Sequence, residues 1–332
     1  MTRTGLLCAG LRCSGLLAWR ARHVAPSRLC ILAYHRVVTS LHGDHPFDAD
    51  VLSCTRDEFA REMRFVKEHF DVLTFTDLSS GKPGVRSPLI VTFDDGYKDN
   101  RDLAFPVLEE LGLRAVFFVA TGYIGSGQAP WWDEIAWIVQ HCAAKELTAR
   151  IGGAGRAVSV ADAGARTAAL RSLLAEAKRL PNRERLALLS ELRKQASPCP
   201  AEAMMMTWDD VRHMAAHGME IGSHTVTHPL LDRVESAEEL GVELKESKRR
   251  IEHETGQPVT AISYPVGRAR GVTDAVARQV AEAGYRYGCV YEHGVNTLAA
   301  MDPLRLRRIK AEVGEDFARF RCKVLFPEWV RY

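Results

Sequence analysis

Seven short apolar runs, separated by stretches long enough to hold a helix, limit this chain to a few architectures. They are LCILAYH (29–35), DVLTF (71–75), PLIVTF (88–93), RAVFFVA (114–120), MEIGSH (219–224), VTAISYP (259–265) and YRYGCV (285–290). Antiparallel strands can be joined by tight hairpins, whereas parallel ones need crossovers of a dozen or more residues, so the spacing points to parallel pairing. The segments between carry helix punctuation. Thr207 and Asp210 have capping-box spacing and Gly218 stops that helix. Ser236 with Glu239 opens another that ends at Gly256, and a third runs from Thr273 to Gly284. An open parallel sheet and a closed barrel are the two ways to build such an α/β chain.

Residues 125–205 break this rhythm. After GQAPWWDEIAWIVQHC come IGGAGRAVS and Leu/Ala/Arg-rich helical stretches, far more chain than a connection needs, which reads as a mostly helical insertion over one end of the fold. Residues 1–28 hold five Arg and no Asp or Glu. Arg12 splits their apolar content into pieces too short to span a bilayer, so the expectation is a basic leader, poorly packed or lying at an interface. A net charge of +2 with interspersed signs gives no case for a nucleic-acid partner, and eight scattered cysteines without CxxC spacing read as reduced. The expected location is cytoplasmic, with peripheral membrane contact or export left open.

The polar clusters fall where strands end. Asp94 and Asp95 follow LIVTF, His224 follows MEIGS with His228 four residues on, and Tyr264, Pro265 and Gly267 close VTAISYPVG. Each has a dull explanation alone: a turn, a coincidence of histidines, a turn beside an aromatic. Together they fall on one rim of a parallel barrel, where reactive groups gather. One carboxylate and two neutral imidazoles make a three-ligand set for a divalent metal, zinc first among them. A second carboxylate just outside that set has the chemistry to take a proton from water.

The order TFDDG, HTVTHP, SYPVG, with ILAYHRV upstream, resembles the polysaccharide deacetylases of the NodB-homology group, carbohydrate esterase family 4. It is similar in particular to the subgroup that begins with a YHRV strand and accompanies exopolysaccharide synthesis. The resemblance spans roughly residues 29–325 and implies a distorted (β/α) barrel of about seven strands. It implies Asp94 as general base, Asp95, His224 and His228 as metal ligands, and the loop at Pro265 and Val266 as part of an oxyanion site. Where that family places an orienting Arg, this chain has Ser263, and Arg268 is a substitute only if its loop folds back. The general acid has no clear match. His35 and His293 are the candidates, with His35 preferred for its strand-end position, against the plainer reading of a buried His bonded to a backbone carbonyl.

Trp131 and Trp132 are candidates to stack on sugar rings, with Tyr264 beside them and Asp133 bonding a hydroxyl or buttressing the site. The competing expectation is that at least one indole belongs to the core of the inserted helices. Arg305, Arg307 and Arg308 read as a solvated strand edge or a lid contact. The expected function is metal-dependent removal of N-acetyl groups from amino sugars of a glycan. O-acetyl esters, non-sugar amides or imides, and glycan binding without turnover are the alternatives, and a polysaccharide-synthesis machine is a candidate partner.

Overall fold

The computed structural model describes residues 16–22, 24–41, 47–81, 84–151, 154–201 and 204–329. Seven strands form a closed ring of parallel pairs: β1 (Arg28–Tyr34), β2 (Pro88–Phe93), β3 (Val116–Val119), β4 (Glu220–Ser223), β5 (Ala261–Ser263), β6 (Tyr287–His293) and β7 (Leu306–Lys310). They follow one another around the barrel in chain order, and β7 returns to β1 at Leu32–Ile309 and Ala33–Lys310. Around them lie helices α2 (Arg56–His69), α3 (Phe105–Leu111), α7 (Trp208–Ala216), α8 (Ala237–Thr255), α9 (Asp274–Glu282) and α10 (Phe317–Leu325). A helix α1 (Leu16–Arg22) precedes β1.

The first five strands are buried on both faces, which is why most of them read as apolar runs rather than alternating ones. Side chains still alternate. Leu29, Ile31, Ile90, Val116, Phe118, Ala261, Cys289 and Leu306 form the core inside the barrel, while Cys30, Leu32, Leu89, Val91, Ile262 and Ile309 pack outward under the helices. That period of two decides what reaches the rim.

The number of barrel strands matches the expectation, but one member differs. Asp71–Leu73 pairs with the first half of β2 and stays outside the ring. Thr74 then caps a short helix, Phe75–Ser79, and Phe75 enters the barrel against Phe118 and Tyr287. The seventh place belongs to β7, whose sequence LRRIK has three cations in five residues. Charge at that density looks like surface, and it hid a strand whose Leu306 and Arg308 face inward.

Between β3 and β4 lie helices α4 (Trp131–His141), α5 (Ala163–Ala177) and α6 (Asn182–Arg193), with a hairpin of Glu146–Ile151 and Ala154–Ser159. They share an apolar core that includes Ile135, Leu173, Leu188 and Leu192. The hairpin departs from the mostly helical expectation for this insertion. Its weak local pattern is fixed by tertiary bonds, as Gln195 and Glu191 at the end of α6 bond the backbone of Thr148 and Arg150.

Of the basic leader, residues 1–15 lie outside the described residues. Helix α1 differs from the poorly packed expectation: Leu17 and Ala21 are buried, and Arg20 Nε donates to the Leu325 carbonyl on α10 at 3.3 Å. No helix among the described residues is long and apolar enough to cross a membrane.

One buried acid makes stability depend on pH. Glu62 on α2 accepts a 2.6 Å hydrogen bond from the Tyr34 hydroxyl. Burial pushes its carboxyl up to about 8; the Tyr34 bond and Lys323 oppose this, while Glu315 and Glu58 add to it. The folded protein therefore keeps a proton that the unfolded chain releases near 4.5, and stability falls as pH rises between those values. Glu62→Gln is expected to lose less stability than wild type between pH 6 and 8.5, by on the order of 2 kcal/mol. Parallel urea-midpoint curves for the two proteins would contradict this.

Candidate metal centre

Alternation along each strand carries the polar residues inward at the C-terminal rim. On β2, Ile90 and Thr92 face the interior, and Asp94 continues that face. On β5 the inward positions are Ala261 and Ser263, on β7 Leu306 and Arg308, and His224 follows Ser223 at the end of β4. Asp94, Asp95, His224, His228 and Arg308 are all buried.

The four non-glycine residues with positive φ among the described residues are Asp95 (76°), Thr225 (66°), His228 (54°) and Val266 (61°), all in the rim loops. Such backbone costs on the order of 1–3 kcal/mol each and persists only where its surroundings enforce it. They do so here. Glu243 on α8 accepts from Val226 N, Thr227 N and the Thr227 hydroxyl, and Thr121 N and Gly122 N donate to the carbonyls of Thr225 and Val226. Gly96 (φ 94°) follows the two aspartates, where an added Cβ would lie 2.8 Å from Ile124 Cδ1.

Asp95 Oδ1 lies 3.3 Å from His224 Nε2 and 3.6 Å from His228 Nε2. One ligand atom from each of the three residues falls within 4.8 Å of the others. His224 Nδ1 lies 2.6 Å from the Ser263 carbonyl, an acceptor, so Nδ1 carries the hydrogen and Nε2 presents a lone pair. Burial alone would lower the His224 pKa, but the neighbouring carboxylates of Asp95 and Asp94 raise it. His228 is held well below the usual imidazole range by burial, with His224, Arg185 and His35 adding to the effect. Its Nδ1 is buried without a hydrogen-bond partner among the described residues. A neutral imidazole short of partners, a second with its lone pair directed, and a carboxylate between them are a donor set that fits a divalent cation.

The insertion braces this set. Trp131 Nε1 and Arg185 Nη1 both donate to the His228 carbonyl, at 3.2 and 3.1 Å, and the Trp132 ring lies 4.3 Å from the His228 ring. The Arg185 guanidinium sits 5.0 Å over the Trp131 ring. Both indoles are buried wall rather than exposed platforms, and both line the cavity at the site.

Asp94 is locked by Arg308. Arg308 Nη1 and Nη2 each donate to one carboxylate oxygen at 2.8 Å; Nη2 also bonds Ser263 Oγ at 3.0 Å, which donates to Asp94 Oδ2 at 3.1 Å. This corrects the expectation for Arg308, which is neither solvated nor a lid contact. The small side chain of Ser263 leaves room for a guanidinium arriving from β7. Burial would raise the Asp94 carboxyl, but Arg308, with His224 and His35, holds it well below the usual carboxylate range. His35 continues the inward face of β1, with Nε2 4.0 Å from Asp94 Oδ2 and its pKa lowered by burial against the pull of Asp95 and Asp94.

The cavity over these groups measures about 290 Å³, and Tyr264, Val266, Arg268, Tyr291 and Lys310 also line it. Three candidates fall elsewhere. Asp133 is not on this wall: it accepts from the Tyr97 hydroxyl at 2.7 Å and Asp48 N at 3.0 Å, which turns its carboxyl into the protein as a buttress. Pro265 lines a neighbouring cavity, and His293 bonds the Pro327 carbonyl. The Tyr264 hydroxyl is committed to the Leu304 carbonyl, so Tyr264 serves the cavity as wall rather than as donor.

A closed parallel barrel with a buried carboxylate and two imidazoles gathered at its C-terminal rim defines a barrel protein with a site suited to a divalent metal. The family model for polysaccharide deacetylase matches residues 81–160 and 182–288, more than half of the chain, and the chain belongs to that family. YxkH of Bacillus subtilis (strain 168), a protein named for polysaccharide deacetylation, is 22% identical over 274 residues, 81% of this chain. The chain spans 66% of the length of YxkH. The deacetylase PplD of Streptococcus pyogenes, solved in complex with acetate, has a TM-score of 0.56 at 21% identity, over 86% of this chain and 93% of PplD. A de-N-acetylase from Aggregatibacter actinomycetemcomitans has a TM-score of 0.58 at 15% identity, over 91% of this chain and all of its own. At such identities the two structures bear on the fold.

Proposed function

We propose that this protein is a metal-dependent hydrolase that removes N-acetyl groups from amino sugars of a poly- or oligosaccharide. The observation that carries the reading is the gathering of Asp95, His224 and His228 at a cavity wall beside a second carboxylate fixed in orientation. A divalent metal, zinc by the donor set, would be held by those three residues and would supply Lewis acidity toward a carbonyl oxygen and toward water, whose pKa such ions lower from about 15.7 toward ~7.

The protein's own groups then have separable tasks. A carboxylate has roughly four lone-pair sites; Arg308 and Ser263 use three on Asp94, and the one left on Oδ1 is available to take a proton. Arg308 and Ser263 fix that site in space. The backbone N–H of the loop at Val266 is the candidate donor to the oxyanion, and its positive φ turns this peptide in a way an ordinary loop residue would not adopt. Trp131 and Trp132 narrow the cavity and keep bulk water from the imidazoles. His35 is the candidate acid that protonates the departing amine.

The reading is tested by acetate release from chito-oligosaccharides of two to six sugars with and without added zinc. Zinc-dependent release is expected, and its absence across the whole series would overturn the proposal. If His35 is the acid, His35→Gln should lower kcat on these amides by about 10²-fold. Its effect on p-nitrophenyl acetate, whose leaving group needs no proton, should be within a few-fold. Equal losses on both substrates would remove His35 from that role.

A further inference from the structure

Beside the 290 Å³ cavity lies a second of about 220 Å³, and the two share Lys178, Tyr264, Val266 and Arg268 as wall. The wall of the second cavity is cationic. Lys178 and Arg179 reach it from the end of α5, Arg233 from the loop after β4, and Arg268 and Arg270 from the loop after β5; Asp232 is the one carboxylate among its lining residues. Arg179 and Arg233 have long ion pairs of 3.7 Å to Glu176 and Asp232, while no ion pair forms at Arg268 or Arg270 among the described residues. The chain as a whole carries a net charge of only +2, so five cations from three separate segments on one small concavity are a local concentration. Arg179, Arg233, Arg268 and Arg270 are exposed, so their charges reach an incoming ligand at the cavity mouth and are screened by salt.

We infer that this second cavity is an anion subsite, and that the substrate carries a carboxylate or phosphate adjacent to its acetamido sugar. The inference rests on the deacetylase reading and adds to it the charge of the glycan. Guanidinium groups suit either anion, since both present paired oxygens to a planar fork of donors. The helical insertion then has a second task, because Lys178 and Arg179 complete a wall that the barrel loops supply only in part.

The test compares three tetrasaccharides on the zinc-loaded full chain: neutral chitotetraose, the same oligomer bearing one 6-phosphate, and an alternating N-acetylglucosamine–glucuronate tetrasaccharide. The ratio of kcat/KM, acidic over neutral, is expected to be about tenfold or more at low salt for at least one acidic substrate, and to shrink in 0.5 M NaCl. In Arg268→Ala/Arg270→Ala the same ratio should collapse toward one, and whichever acidic substrate leads identifies the anion. A wild-type ratio near one, or a preference that survives the double substitution, overturns the inference. If none of the three releases acetate, the deacetylase reading fails, and calorimetry with the same oligomers decides the subsite alone. Tighter binding of an acidic oligomer, lost in the double variant, supports it, and equal affinities overturn it.

Discussion

Asp94→Asn is expected to lower kcat for acetate release by about 10²- to 10⁴-fold while bound zinc stays at the wild-type level. An amide has almost no basicity, so the proton acceptor is lost. Asp95, His224 and His228 are untouched, and their approach does not pass through the Asp94 side chain. The substitution also leaves the Arg308 guanidinium buried with half of its partner gone, so a lowered melting temperature should accompany the loss. Zinc content therefore has to be measured on the same folded sample. A variant that turns over within a few-fold of wild type would remove Asp94 from proton transfer, and one that loses zinc as well would mean the two aspartates act as one ligand group.

Arg308→Gln is the second large effect, and it reads the pair from the other side. Two bonds of 2.8 Å to a nearly inaccessible carboxylate make a fully desolvated pair, and removing one member of such a pair costs about 3–5 kcal/mol because the other is left charged and unpaired. The expected result is a fall in the denaturant midpoint of that order, with a large loss of kcat at temperatures where the variant is still folded. Arg308→Lys keeps the charge but not the planar fork, so it should recover part of the stability and less of the rate. In a double-mutant cycle with Asp94→Asn, the two losses should be far from additive, since either change alone already breaks the pair. Additive losses would mean that the contact contributes nothing of its own.

The parts of this site legible in the sequence were those carried by strand ends. LIVTF followed by two carboxylates, and MEIGS followed by His224, announce an inward-facing polar residue at a rim, and His228 belongs to the same loop. Arg308 was not legible, because nothing in PLRLRRIK says which of Arg305, Arg307 and Arg308 faces inward until a strand is known to start at Leu306. The available signal was the period of two, with Leu306 and Arg308 on one face and Arg307 and Ile309 on the other. The same gap made Ser263 look like a missing group, when it is the space through which the arginine arrives. Trp131 and Trp132 are legible as lying near the mouth, but not as the backing of His228, a task they share with Arg185, some fifty residues later on another helix. Asp133 follows two cavity-lining tryptophans, but adjacent side chains on a helix point in different directions, and of its two expected roles it takes the buttress rather than a place on the cavity wall.

Anomalous diffraction from crystals of the zinc-loaded protein, collected on both sides of the zinc edge, tests the central claim most directly. One strong site is expected, about 2.0–2.2 Å from a carboxylate oxygen of Asp95 and from a ring nitrogen of each of His224 and His228, with Asp94 still paired to Arg308 and not coordinating. A strong site elsewhere, or none at these three residues under saturating zinc, would contradict the account.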